Sequence, residues 1–162
     1  MLKHRLNQVT HMENNLLRQR LEALVPDATF PINSQYTEIL VADSKFHEFC
    51  MSLKASPDLL FDYLISLTAI DWKDHYMLVC HLTSTVFRHT IVLKVRIDNR
   101  ENPQAETVSD IWKTAEFHER EVYDMFGIRF LHHPDLRRLF MEDDYGFPLR
   151  KDFADESRMI VK

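Results

Sequence analysis

Glycine is almost absent from this chain. Among 162 residues, only Gly127 and Gly146 are glycines. The loops that wrap the phosphates of dinucleotides and nucleoside triphosphates need several glycines at short, fixed spacings. Neither G-x-G-x-x-G nor G-x-x-x-x-G-K-[ST] can be written with these two positions. The chain therefore does not bind nucleotides in either of those ways.

Cysteine is equally scarce. Cys50 and Cys80 are the two cysteines, and they form no C-x-x-C pair. Iron–sulfur and zinc sites built from four thiolates need more ligands than this. Two isolated cysteines inside apolar stretches favour buried, reduced thiols over a disulfide, which indicates a reducing compartment.

Charge and hydropathy narrow the class of protein further. The formal net charge of −5 disfavours a nucleic-acid partner. The most apolar stretch, residues 59–70, contains Asp62 and is shorter than the ~20 residues that span a bilayer. The first residues include basic side chains, but no apolar core of a secretory signal follows them. A chain of this length can bury a full core as one domain.

Hydrophobic periodicity predicts helices and strands in alternation. An amphipathic helix is predicted within residues 1–26, ending at Pro26. A strand is predicted over 36–41, then a helix capped by Asp43 or Ser44. The apolar stripe of that helix is Phe46, Phe49, Cys50 and Leu53. A further helix is predicted to start at Ser56-Pro57, with a buried side formed by Leu59, Leu60, Tyr63, Leu64 and Leu67.

Two strands and a last helix follow. Residues 76–82 and 87–97 alternate in the manner of strands. Thr107 and Asp110 have capping-box spacing, which predicts a helix from there to Phe126, closed by Gly127 in the left-handed conformation. The inward residues of this helix are predicted to be Ile111, Ala115, His118, Val122 and Met125. This order predicts an α+β fold with helices packed on one face of a small, mainly antiparallel sheet.

The last part of the chain has a different character. Residues 127–162 are too apolar for a disordered tail, yet Pro134, Gly146 and Pro148 interrupt every periodic run. Long irregular segments are uncommon in compact domains unless they are functional. Their apolar side chains can be buried against their own domain or in a partner's groove, and the partner is favoured. The predicted organisation is an N-terminal helix (1–26), an α+β domain (27–126) that folds without the remainder, and an extended partner-binding segment (127–162).

One motif invites a catalytic interpretation. Residues 118–122 begin like the helix of a zinc protease, but Val122 stands where the second histidine is required. A stand-alone metal hydrolase is therefore the weakest alternative. Ion pairs of Arg120 with Glu116 and with Asp124 explain the same helix.

Two basic pairs lie in the C-terminal segment, Arg137-Arg138 and Arg150-Lys151. They could belong to a solvated surface. Against that interpretation, apolar residues flank both pairs: Leu136, Leu139, Leu149 and Phe153. Arginine among apolar and aromatic residues is typical of interface hot spots.

Three ordered blocks of sequence carry a family resemblance. They are Glu-Arg-Glu-Val-Tyr-Asp-Met-Phe-Gly-Ile at 119–128, His-Pro-Asp-Leu-Arg-Arg at 133–138 and Pro-Leu-Arg-Lys-Asp-Phe at 148–153. In this order and spacing they resemble the signature of the C subunit of respiratory complex I, the 30 kDa subunit of NADH:quinone oxidoreductase. The resemblance covers most of residues 30–153. Departures occur at His132, at Phe140 and in the turn at 144–147.

The resemblance implies a non-catalytic structural and assembly subunit of the peripheral arm of a proton-translocating NADH:quinone oxidoreductase. In that family the C-terminal extension embraces the D subunit, which forms the quinone site; the B and I subunits are further expected partners. No cofactor is expected in this chain, since FMN and the iron–sulfur clusters belong to partner subunits. The expected location is the cytoplasmic face of the bacterial inner membrane, with attachment through the complex. Because the chain ends soon after the last block, a stand-alone subunit is expected and not a fusion with the D subunit.

The matching positions supply the candidate residues. Structural signature positions are Glu119, Arg120, Glu121, Asp124 and Gly127. Partner-binding positions are His133, Pro134, Arg137, Arg138, Pro148, Leu149, Arg150, Lys151, Asp152 and Phe153. A homologous subunit of a membrane-bound hydrogenase or of a plastid-type NDH complex is the main alternative.

Overall fold

A computed structural model describes residues 16–26, 28–31 and 35–154. Residues 16–24 are helical and are called α1. The later helices are α2 (Phe46–Ala55), preceded by a 3-10 turn (Asp43–Lys45), and α3 (Ala115–Phe126). The strands are β1 (Thr37–Ala42), β2 (Tyr63–Asp71), β3 (Tyr76–Thr83), β4 (Thr90–Ile97), β5 (Gln104–Glu106) and β6 (Arg129–Leu131).

The main sheet has four strands in the order β1-β4-β3-β2. Strand β3 pairs antiparallel with both β2 and β4, whereas β1 lies parallel to β4. Strands β5 and β6 form a separate parallel pair. The predicted α+β fold with a mainly antiparallel sheet is confirmed, although the short β5–β6 pair was not predicted.

One face of the sheet and all three helices share a single core. The sheet contributes alternate residues, among them Leu78, Leu82, Ile91 and Leu93, and the helices contribute Leu17, Leu21, Phe46, Leu53, Val122 and Phe126. Each such side chain stabilises the fold by roughly 1.5–3 kcal/mol when fully buried. Cys50 and Cys80 lie in this core as free thiols, as predicted, and burial raises the pKa of both above the ordinary value.

The predicted helix at Ser56-Pro57 is wrong. The chain makes one turn there, with the backbone N–H of Leu60 bonded to Ser56 O, and then enters β2. A β-bulge shifts the register between Leu64 and Ser66, so that Leu64 and Leu67 both face the core. A separation of three residues between buried positions is typical of a helix. Here the bulge produces the same separation in a strand.

The bounds or caps of three further elements also differ from the prediction. Helix α3 begins at Ala115 and not near Thr107, whose hydroxyl is bonded to Glu119 in place of a cap. Helix α2 has Lys45 at its N-cap and no side-chain cap bond, although its stripe is buried as predicted. Phe87 lies exposed in the turn before β4.

The C-terminal segment starts inside the domain. Ile128 and Phe130 are buried in the common core, and β6 pairs with β5. The core therefore extends past the expected boundary at Phe126 and is incomplete without β6. No helix in the described ranges is both long and apolar enough to cross a membrane. Residues 1–15, the first part of the predicted N-terminal helix, lie outside those ranges.

Candidate partner-binding site

The signature glycine sits where α3 ends and the C-terminal segment turns back. Gly127 has φ 73°, a left-handed conformation that other residues rarely adopt. A Cβ atom at this position would lie 2.5 Å from Nη2 of Arg150 and 2.6 Å from the ring of Phe147. Glycine is thus required both for the backbone angle, as predicted, and for the close approach of these two side chains.

Phe147 is the centre of the folded-back segment. The guanidinium carbon of Arg150 lies 4.5 Å from the ring centroid, and that of Arg138 lies 5.1 Å away. Each arginine also holds a carbonyl: Arg150 Nε donates to Phe126 O at 2.6 Å, and Arg138 Nη2 donates to Gly146 O at 2.7 Å. The bond to Phe126 O ties the segment to the end of α3, while the cation–π contacts and the bond to Gly146 O hold the segment together internally.

Asp124 is the first of two carboxylates that anchor the segment. The side chain is fully buried, and Oδ1 lies 2.8 Å from Nε of Arg138. This contact is an ion pair without the geometry of a hydrogen bond. Oδ2 accepts the backbone N–H groups of Phe140 at 2.7 Å and Met141 at 3.2 Å. One side chain of α3 therefore fixes three residues of the segment.

Asp71, at the end of β2, is the second anchor. Arg100 binds its two oxygens at 2.5 and 3.0 Å, and the backbone N–H groups of Lys73 and Lys151 donate at 2.7 and 2.8 Å. Burial alone would raise the pKa of Asp71, but these four bonds outweigh it and hold the pKa well below its usual range. Arg100 also reaches Asp152 at 3.1 Å, so residues 151–152 are fastened to the sheet.

Arg120 lies in a second network on α3. The predicted pair with Glu116 is present at 2.8 Å, but the predicted pair with Asp124 is not, because Asp124 is occupied by Arg138. Arg120 contacts Asp135 instead, through Oδ2 at 3.2 Å and the carbonyl oxygen at 2.8 Å. Both Arg120 and Asp124 are buried.

Glu119 points into the core from the same helix. Thr107 Oγ1 and the Val108 N–H donate to its carboxylate at 2.5 and 2.7 Å. Burial nevertheless raises the pKa of Glu119 to about 7, since these two bonds offset only part of the desolvation. The buried imidazole of His133 contacts Glu116 O at 3.1 Å and lies 3.8 Å from Glu119 Oε2. Glu121 of the signature faces solvent.

The predicted partner-binding residues fall into two groups. The first group is engaged within the chain: His133, Arg138 and Arg150 by the contacts above, and Phe153 against the ring of Tyr145 at 5.6 Å. The second group presents side chains to solvent: Pro134, Arg137, Leu149, Lys151 and Asp152. Pro148 is half-buried.

Phe140 departs from the family pattern, and the sequence alone assigns it no role. The structure leaves 68% of its surface exposed, and Leu149 leaves 55%. They are two of the large apolar side chains that the described part of the chain leaves exposed. Lys151, in the same segment, has its Nζ 5.9 Å from the ring centroid of Trp72. Among the described residues, no group of three or more His, Cys, Asp or Glu is placed to hold a metal ion.

Fold and site together define a small α+β domain with its C-terminal segment anchored across its last helix. Residues 39–158 match the family model of the respiratory-chain NADH dehydrogenase, 30 Kd subunit. The chain belongs to that family.

Individual relatives agree with this assignment. The chain is 50% identical over 121 residues to the fused C/D subunit of NADH-quinone oxidoreductase from Phocaeicola vulgatus, covering 74% of this chain and 23% of that protein. It therefore spans less than a quarter of that relative. The NADH-quinone oxidoreductase C subunit of Roseiflexus castenholzii is 35% identical over 148 residues, covering 87% of this chain and 84% of the relative.

A solved structure is also similar. It comes from the membrane-bound sulfane sulfur reductase, an archaeal respiratory membrane complex. The TM-score is 0.77 at 27% identity, and the match covers 90% of this chain and 88% of the other.

Proposed function

We propose that this chain is a structural and assembly subunit of the peripheral arm of a proton-translocating NADH:quinone oxidoreductase, where it docks on the D subunit. The observation that carries the proposal is the Phocaeicola vulgatus relative, in which C and D are one protein. Two domains that are fused in one organism are expected to contact each other where they are separate chains in another. The exposed Phe140 and Leu149 supply a surface for that contact.

Catalysis would then belong to the rest of the complex. Electrons would pass from NADH through FMN and iron–sulfur clusters on partner subunits to quinone. The polar residues of this chain support that division. Asp71 is occupied by Arg100 and by backbone N–H groups, and Asp124 and Arg138 are occupied by each other and by backbone groups. Attachment to the cytoplasmic face of a bacterial inner membrane would run through the D subunit, with the B and I subunits as further neighbours.

A related complex with another electron donor or acceptor is the second candidate. The similarity to the sulfane sulfur reductase structure favours it, since it extends over 90% of this chain. A membrane-bound hydrogenase belongs to the same alternative.

Co-purification from the source cells separates these candidates. The tagged full chain would be recovered from membranes in mild detergent and its neighbours identified by mass spectrometry. We expect the D subunit together with the flavin- and NADH-binding subunits. If the chain is recovered with hydrogenase or sulfur-reductase subunits, the second candidate function is correct. If it is recovered without the D subunit, the docking proposal is overturned. A chain carrying Phe140→Ala and Leu149→Ala is the test variant and should recover less of the D subunit, whereas the control variant Phe117→Ala should recover as much as the unmodified chain.

A further inference from the structure

Phe140 and Leu149, the two most exposed large apolar residues in the described part of the C-terminal segment, have backbone amides that are bonded to the domain. The N–H of Phe140 donates to Asp124 Oδ2 at 2.7 Å, and the N–H of Leu149 donates to Met125 O at 3.1 Å. Both acceptors belong to the last turn of α3. The side chains point to solvent while their own amides are bonded to the domain. An exposed apolar residue on a tethered backbone differs from one on a loose loop, because its position is set in advance.

Further ties fix the segment between and beyond these two points. Arg138 reaches across to Gly146 O at 2.7 Å, which closes the segment on itself. Arg150 Nε holds Phe126 O at 2.6 Å, and the N–H of Lys151 is bonded to Asp71 at 2.8 Å. The segment is therefore attached at its start by Asp124 and at its end by Asp71.

We propose that residues 138–151, here called the docking loop, are already shaped for the D subunit before it binds. Phe140 and Leu149 are the contact residues, and Asp71 and Asp124 are positioning residues that act through the backbone. This inference rests on the proposed function. The D subunit is the occupant because a relative carries C and D as one protein. A loop ordered in advance loses little conformational freedom on association, which strengthens binding without any added contact.

Amide hydrogen exchange on the free full chain, read by mass spectrometry, tests the shape of the loop. We expect slow exchange at residues 140, 141, 149 and 151 before any partner is added. Asp124→Asn should speed exchange at 140 and 141, and Asp71→Asn should speed exchange at 151. Asp98→Asn, at an exposed carboxylate paired with Arg96, is the matched control and should leave the loop unchanged. Fast exchange of the loop in the unmodified chain would overturn the inference.

Affinity for the purified D subunit completes the test. Asp124→Asn and Asp71→Asn should each weaken binding by roughly tenfold or more, about 1.4 kcal/mol. Since Asp124→Asn also removes a buried charge, Phe140→Ala and Leu149→Ala provide an arm that does not disturb the core. They should keep slow exchange and still weaken binding.

The outcomes separate the two levels of the proposal. If the unmodified chain binds the D subunit while loosened loops bind equally well, the positioning role is overturned and the proposed function stands. If the unmodified chain fails to bind the D subunit although its loop is protected, the proposed function is overturned, and the choice of partner with it.

Discussion

Arg138 and Arg150 share one aromatic ring, that of Phe147, with guanidinium carbons 5.1 and 4.5 Å from its centroid. The sequence had suggested that both arginines grip a partner. In the structure they hold the chain's own C-terminal segment against α3. In the docking that we propose, contact with the partner is made by side chains that this arrangement leaves exposed, above all Phe140 and Leu149.

Gly127→Ala should destabilise the chain by roughly 2–4 kcal/mol, because a left-handed alanine is strained and its Cβ would overlap Phe147 and Arg150. Gly146→Ala is the matched control: its φ is 84°, but the nearest atom to a Cβ is Phe153 Cε2 at 3.0 Å. Urea unfolding of both variants measures the difference. Equal losses would mean that the close approach at Gly127 contributes nothing.

Arg138→Ala should cost about 3–5 kcal/mol, since it leaves the buried Asp124 without its cation. Arg138→Lys should recover part of this, because lysine restores charge but not the planar contact with Phe147. Arg137→Ala is the control: its side chain is exposed and pairs with Asp135 at the surface, so its effect should stay within about 0.5 kcal/mol. Thermal or urea unfolding gives all three values, and similar losses for Arg137→Ala and Arg138→Ala would contradict the anchoring role of Asp124.

Glu119 should make stability fall as pH rises. Its pKa is about 7 in the folded chain and near 4.3 when unfolded, so between these values the folded state holds a proton that the unfolded state has released. The free energy of unfolding should therefore decrease across that window, by on the order of 3 kcal/mol. Glu119→Gln cannot ionise and should flatten the decline, whereas the exposed Glu121→Gln should not. Urea unfolding at pH 5, 6, 7 and 8 measures this, and a decline that persists in Glu119→Gln would assign it to another group.

The same variant tests whether Glu119 transfers protons. A structural carboxyl should leave the turnover of the assembled complex within a few-fold after Glu119→Gln. A loss of about 10³ with assembly intact would indicate general acid–base catalysis.

Truncation should separate core from docking segment. A chain ending after Phe126 loses Ile128 and Phe130 from the core, at roughly 1.5–3 kcal/mol each. A chain ending after Leu131 keeps both residues and the β5–β6 pair. Circular dichroism melts should therefore show a clearly higher midpoint for the longer fragment. Identical melts would show that β6 contributes nothing to the domain.

Local signals in the sequence were sufficient for much of the fold. Three predicted features depend only on residues a few positions apart, and the structure contains all of them. They are the buried apolar stripe of α2, the strand predicted from the alternation in β3 and the left-handed conformation of Gly127. The start of strand β2 was predicted as a helix because its bulge places Leu64 and Leu67 on the same face.

The candidate site was less predictable for a physical reason. Asp124 had a nearby arginine at helical spacing, Arg120, yet its partner is Arg138 in the C-terminal segment. An ion pair between residues that are distant in sequence produces no periodic pattern. The sequence therefore predicts the pair at helical spacing, which is the wrong one. For the same reason Asp71, which binds the backbone of Lys151, was not recognised as an anchor.

Docking on the D subunit through residues 138–151 is tested most directly by the dissociation constant of the full chain for the purified D subunit. It is measured for the unmodified chain and for the double variant Phe140→Ala, Leu149→Ala. Phe117→Ala is the control, since it removes an equally exposed aromatic side chain, 62% accessible, outside the docking loop. We expect binding at least about tenfold weaker for the double variant and unchanged for the control, with the same circular dichroism spectrum in all three proteins. Equal dissociation constants for the double variant and the unmodified chain would contradict docking through this loop.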